Sequence, residues 1–198
     1  METEPTDLDL LQSWSTGDRD AASTLIDRYF EAIARFFQNK ARPDPATQDE
    51  LVQSTFAACV EARIRFRGDG SFRSFLYSIA YNVLRKHYEQ RRKSERVDFG
   101  TVSIVDLRTG PSTLAARKAE RTLLIQCMQR LPVEMQTALE LHYWEGMTSA
   151  EVAVALGVPV GTVKTRIRTA RLRLRDALTA ADAPPALRQA AAEEFEKN

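Results

Sequence analysis

Two groups of side chains in this sequence have the types and spacing to do chemistry, and both present fixed cations rather than nucleophiles. Lys164, Arg168, Arg171 and Arg175 recur at intervals of three and four, so on a helix they form a cationic row beside the apolar stripe Val163, Ile167, Ala170, Leu174 and Ala177. Arg166 and Arg173 fall on the opposite flank, and no acidic residue lies between Val158 and Arg175. A helix charged in this way suits the major groove of duplex DNA, with phosphates on either side and base edges before its N-terminal turns. On that reading Thr162, Lys164, Thr165 and Arg166 meet or approach bases, and Arg168, Arg171, Arg173 and Arg175 hold phosphates. The plainer alternative is a solvated basic helix.

The second group interleaves rings with guanidinium groups: Arg73, Tyr77, Tyr81, Arg85, Tyr88 and Arg92 share one helical face. Phe75, Leu76, Ile79, Ala80 and Val83 form another face, sufficient to anchor the helix in a core. Exposed rings among cations suit unpaired nucleic acid, because an aromatic face stacks on any base at about 1 to 3 kcal/mol while Arg tracks phosphates. Between Arg63 and Lys93 there are nine basic residues and two acidic ones, so the positive field is concentrated here. The small loop Gly68 to Ser71 is able to close over an extruded base. Against this, tyrosines at helical spacing commonly pack on a neighbouring helix, and Tyr77, Tyr81 and Tyr88 fit that description equally.

Helices must carry these residues, since strand signals are nearly absent and apolar residues recur at three and four over most of the chain. The expected fold is all-α: two small helical domains joined by a flexible linker. Leu8, Leu11 and Trp14 predict a short first helix. Leu25, Ile26, Tyr29, Phe30, Ile33, Phe36 and Phe37 predict a long second one ending before Pro43 and Pro45. Val52, Phe56, Cys59 and Val60 lie on one side of a third, which begins near Asp49, and a fourth runs from about Ser71 to Arg92. Residues 94–113 lose helical periodicity and hold Gly100, Gly110 and Pro111 among Ser, Thr and Asp, which predicts a linker between a first domain at 1–93 and a second at 114–178. Such a linker of ~20 residues at ~3.4 Å each reaches roughly 70 Å. The Ala-rich tail, 179–198, is read as a frayed helix or disordered chain without an assigned role.

In the second domain Thr148-Ser149-Ala150-Glu151 is a capping box, Gly157 supplies a left-handed stop and Pro159 precedes a new helix. This predicts helix, tight turn, helix, the order a DNA-reading helix-turn-helix requires.

Other chemistries find little support. The chain has 198 residues, with 28 Lys and Arg against 27 Asp and Glu, so any case for nucleic acid rests on where charge sits and not on its total. Cys59 and Cys127 occupy apolar helical positions without CxxC spacing, as reduced core residues do, and no apolar run reaches the length of a membrane span. His87 and His142 belong to no metal-ligand pattern, and no GxxxxGK[ST] loop is present. Neither an enzyme nor a metal or cofactor is therefore expected. An ordinary helix-turn-helix regulator with a sensing front half leaves the aromatic face unexplained.

At these residues the chain resembles the sigma-70 family, in its compact extracytoplasmic-function group, over about residues 8 to 178. DELVQSTF (49–56) resembles the helix by which such factors grip the clamp of core RNA polymerase, implying polymerase contacts at Asp49, Gln53 and Ser54. FRGDGSFRSFLYSIAYNVLR (66–85) resembles the promoter-melting element. It implies that Arg67, Gly68, Asp69, Gly70, Ser71, Arg73, Tyr77, Tyr81, Asn82 and Arg85 open the −10 element and capture its unpaired bases. Residues 131–178 resemble the domain that reads the −35 element. Phe75 stands where the family usually has Trp, Ser54 where Glu is common and Tyr81 where a basic residue is frequent. The resemblance further implies promoter DNA and core RNA polymerase as partners, an anti-sigma protein as a regulator, a cytoplasmic location, and a monomer when free.

Overall fold

The computed structural model describes residues 4–38, 40, 45–63, 66, 70–91 and 119–197. The expected linker at 94–113, and the candidate residues Arg67, Gly68 and Asp69 with Arg92, lie outside them. The described residues form an all-helical protein of two compact units, the first carrying α1 to α3 and most of α4, the second chiefly α5 to α9. Among the described residues no helix is long and apolar enough to cross a membrane.

Helix α1 (Asp7–Ser15) opens on a capping box, in which the Asp9 amide donates to the Thr6 hydroxyl at 3.3 Å and the Thr6 amide to the Asp9 carboxylate at 2.9 Å. These bonds hold the Asp9 carboxyl below its ordinary range. Leu10, Leu11 and Trp14 are buried and α1 packs on α2 (Arg19–Gln38); Leu8, expected in the apolar set, is exposed. A polar clasp completes the join: Arg28 and Tyr29 on α2 both donate to the Asp7 carboxylate. Burial and the adjacent carboxylate push the Tyr29 phenol well above its ordinary value, so it remains a donor. Tyr29→Phe removes one donor to a charged acceptor while Arg28 keeps the other. It is expected to cost about 1 kcal/mol, read as a small fall in the urea midpoint at unchanged slope.

Pro45 opens α3 (Pro45–Ala62), four residues ahead of the expected start, because a proline suits a first helical turn and loses no bond there. Leu51, Val52, Thr55 and Cys59 face the core, and the Gln48 side-chain amide donates to the Ala34 carbonyl of α2 at 3.2 Å. Burial raises the Cys59 thiol to about 11, keeping it protonated and inert, as its apolar spacing predicted.

Helix α4 (Phe72–Arg91) is capped by Ser71, whose hydroxyl accepts from the Ser74 amide at 3.2 Å, after Gly70 turns the chain at φ 127°. Its buried arc corrects the expected one. Leu76, Ala80 and Leu84 are fully buried, and so are Tyr77, Tyr81 and Tyr88, at 1%, 4% and 4% exposure. Phe75, Ile79 and Val83 are only half-buried. The face was misjudged by one residue, about 100° on a helix, because apolar and aromatic stripes of similar length lay side by side. Tyr77 meets Phe36 of α2 ring to ring, centroids 5.7 Å apart at 62°.

In the second unit, α5 (Ala119–Met128) precedes α6 (Val133–Leu139), which opens after Pro132 and runs into one wider turn at Glu140–Trp144. There the Glu145 amide donates to the Glu140 carbonyl, five residues back, at 3.1 Å, so an extra residue is accommodated and the following side chains are re-aimed. Next come α7 (Ser149–Leu156), α8 (Val160–Thr179) and α9 (Pro185–Lys197). Helix α9 corrects the reading of the tail: its packing is on α5 and α8, and Ala191 and Phe195 are buried.

Candidate nucleic-acid interface

Local bonds fix the helix-turn-helix before any tertiary contact is counted. The Glu151 amide donates to the Thr148 hydroxyl at 3.2 Å and the Thr148 amide to the Glu151 carboxylate at 2.9 Å, starting α7 as the capping box predicts. Gly157 stops it at φ 65°, a left-handed conformation that favours glycine, and the Val158 amide donates back to the Ala153 carbonyl at 3.1 Å. Pro159 then leads α8, whose apolar stripe is buried at Val163, Ile167, Ala170, Leu174 and Leu178.

With that stripe turned inward, Lys164, Thr165, Arg168, Arg171, Arg173 and Arg175 are exposed and Thr162 is half-buried. Lys164, Arg168, Arg171 and Arg175 line one concave surface of ≈ 360 Å³ together with His142 and Ser149. The His142 ring is held by its Nδ1 at 2.7 Å from the Met147 carbonyl oxygen. Four cations along one hollow, without a carboxylate on the same helix stretch, suit the charge of a phosphate backbone.

Arg166 departs from the group. Its guanidinium pairs with Glu134 of α6, and the two side chains keep only 18% and 22% exposure. In this structure the expected base reader joins α8 to α6. Sequence alone offered a faint signal, since Arg166 sits off the cationic row, but not the position of its acidic partner, thirty-two residues away.

In the first unit the rings of Tyr77 and Tyr81 are buried and not on the surface. Gly70, Asn82 and Arg85 are exposed, and Ser71 and Arg73 half-buried. Aromatic surface near the Gly70 turn comes instead from Phe66 and Phe75, both half-buried, with centroids 5.1 Å apart and Phe72 beside them. Neither was a candidate by sequence, because Phe75 read as core.

Asp49, Gln53 and Ser54 are exposed along α3, and a further apolar strip was missed there. Phe30 of α2 is 47% exposed and stacks on Phe56 of α3, centroids 6.1 Å apart and planes within 13°, and Val60 is exposed nearby in sequence. Phe30, Phe56 and Val60 belong to the apolar sets that predict α2 and α3, and helical spacing cannot tell a core stripe from one left partly uncovered.

Among the described residues no cluster of His, Cys, Asp or Glu has the arrangement of a metal site. An all-helical protein with a helix-turn-helix whose second helix is basic, and free of carboxylates as far as Arg175, is, as a class, a sequence-reading DNA-binding protein. Comparison with known proteins narrows the class. The Sigma-70 region 2 model matches residues 25–94 and the Sigma-70 region 4 model residues 121–174. The RNA polymerase sigma-H factor of Pseudomonas aeruginosa is 30% identical over 200 residues, covering 96% of this chain and all of the relative. The ECF RNA polymerase sigma-E factor of Escherichia coli K12 is 28% identical over 184 residues, 86% of this chain and 93% of that one. Among solved structures, CnrH in complex with the cytosolic domain of CnrY aligns at a TM-score of 0.65 and 27% identity, covering 89% of this chain and 99% of that one. The sigma factor RpoE of Bartonella quintana, solved with the anti-sigma factor NepR, shares the fold at a TM-score of 0.61.

The chain belongs to the sigma-70 family, in its extracytoplasmic-function group. It is a non-catalytic sigma factor that directs promoter-specific transcription initiation by RNA polymerase.

Proposed function

We propose a division of labour within that activity. Helices α7 and α8 read the −35 element, the segment from Arg67 through α4 opens the −10 element, and the outer face of α2 and α3 docks on core RNA polymerase. The observation that carries the first assignment is the row Lys164, Arg168, Arg171 and Arg175 along one hollow of a helix-turn-helix whose first helix opens on the Thr148/Glu151 capping box. Thr162, Lys164 and Thr165 on the first turns of α8 then face base edges, and Arg168, Arg171, Arg173 and Arg175 hold phosphates.

For strand opening, Gly70, Ser71, Asn82 and Arg85 remain the candidates among the described residues, with Arg73 beside them. Phe75 and Phe66 supply the stacking surface in place of Tyr77 and Tyr81. Each captured base contributes about 1 to 3 kcal/mol, and no chemical step by this chain is needed. On α3, Asp49, Gln53 and Ser54 surround polymerase contact with polar bonds, and the uncovered Phe30 and Phe56 rings give it an apolar centre.

The CnrH structure contains the cytosolic domain of CnrY, and the RpoE structure contains the anti-sigma factor NepR. Those pairs support a regulator of the same kind for this chain, acting in the cytoplasm on a factor that is monomeric when free.

The test is run-off transcription with purified core polymerase on a fragment from upstream of this protein's own gene. Discrete initiation only when the protein is present is expected. Phe30→Ser in the same assay is expected to weaken core binding about tenfold while leaving the melting temperature unchanged. Full core binding by that variant would place the polymerase surface elsewhere.

A further inference from the structure

The α8/α9 side of the second unit brings rings from two elements to a cation of the basic row. Tyr143, within the wide turn at Glu140–Trp144, lies against two partners. The Phe195 ring of α9 is 4.9 Å away at 55°, and the Arg171 guanidinium of α8 stands over the Tyr143 ring at 5.8 Å. Phe195 is buried, Tyr143 half-buried and Arg171 exposed, so the series runs from the core to the surface that carries the cationic row. Arg171 also lines both hollows beside α8: the cationic one, and an apolar groove of ≈ 310 Å³ walled by Leu174, Leu178, Pro185 and Phe195.

An exposed arginine samples many rotamers, and each contact it makes must offset their loss. A ring beneath the guanidinium plane restricts that sampling, since the cation is attracted to the π-face and its N–H groups are left pointing outward. The ring is useful only if it is itself fixed. Here Phe195 does this from the C-terminal helix, and the Arg188 guanidinium ties α9 to the end of α8 through the Thr179 carbonyl.

We infer that Tyr143 and Phe195 are positioning residues for promoter binding: α9 holds the Tyr143 ring, and the ring holds Arg171 ready for a backbone phosphate. The inference rests on the phosphate role proposed above for Arg171. It gives α9 a part in DNA affinity, although α9 need touch no DNA.

The experiment uses holoenzyme reconstituted from core polymerase and the full chain, titrated onto a promoter fragment active in the run-off assay over a series of salt concentrations. Arg171→Ala is expected to weaken binding about tenfold and to make the salt dependence shallower by about one phosphate equivalent. Phe195→Leu keeps an apolar side chain in the buried site but removes the ring, and Tyr143→Leu removes the cation's seat; each is expected to weaken binding about threefold. Tyr143→Phe, which keeps the π-face, should bind as the natural chain does. In the Arg171→Ala background, Phe195→Leu and Tyr143→Leu should have no further effect, a readout that general loss of stability would not produce. Equal losses in both backgrounds, or none in either, would overturn the positioning inference while leaving Arg171 as a phosphate contact. Unchanged affinity and salt slope for Arg171→Ala would refute the phosphate role itself, and the inference with it.

Discussion

Tyr77→Ala is expected to unfold the first unit rather than to impair promoter opening selectively. The side chain is 1% exposed and meets the Phe36 ring of α2, so truncation leaves a ring-sized void between α2 and α4. Loss of a buried aromatic of this kind costs about 3 to 5 kcal/mol, a large part of the roughly 5 to 15 kcal/mol that holds a domain together. Thermal unfolding should shift down strongly, and core binding and run-off product should fall together. Tyr77→Phe keeps the ring and should retain most of both. If Tyr77→Ala kept the natural melting temperature and core affinity yet failed to open the −10 element, the ring would be stacking on bases after all. Phe75→Ala then serves as contrast: its half-buried ring should cost less stability, and its loss should fall on opening.

The second large effect concerns Arg166. Removing either partner of its pair with Glu134 leaves a charge with about one-fifth exposure and no counterion, which for well-buried pairs costs about 3 to 5 kcal/mol and here, with water partly admitted, about 2. Arg166→Ala and Glu134→Ala should each lower the stability of the second unit by that amount. The double variant should cost less than the sum, because the two single changes remove one and the same interaction. Base preference at the −35 element should stay as it is in all three. An Arg166→Ala protein with unchanged melting but relaxed preference at one −35 position would return Arg166 to the base-reading set.

Local signals made much of this protein legible in advance. The Thr148 and Glu151 box, the Gly157 stop and the apolar stripe of α8 each act through residues a few positions apart, and each stands in the structure as expected, save that Leu178 and not Ala177 ends the buried stripe. The cationic row followed from them, since once Val163, Ile167 and Leu174 turn inward, Lys164, Arg168 and Arg171 must turn outward. Family membership was legible for the same reason, because its motifs are continuous stretches.

Contacts between elements distant in sequence were not legible. Periodicity marks a stripe as apolar, but which of two adjacent stripes on α4 is covered depends on where α2 lies, and Phe36 took the Tyr77 side. The same limit hides from the sequence that Phe30 is left exposed and that Arg166 pairs with α6. Only the folded chain brings Glu134 to Arg166 and Phe195 to Tyr143, across thirty-two and fifty-two residues. The sequence alone therefore determined the helices before the tail, the caps of the helix-turn-helix's first helix, the outward basic face and the family. The tertiary structure decided which rings and charges are held inside and which are left exposed, because helical spacing specifies a face and only a neighbouring element determines whether that face is covered.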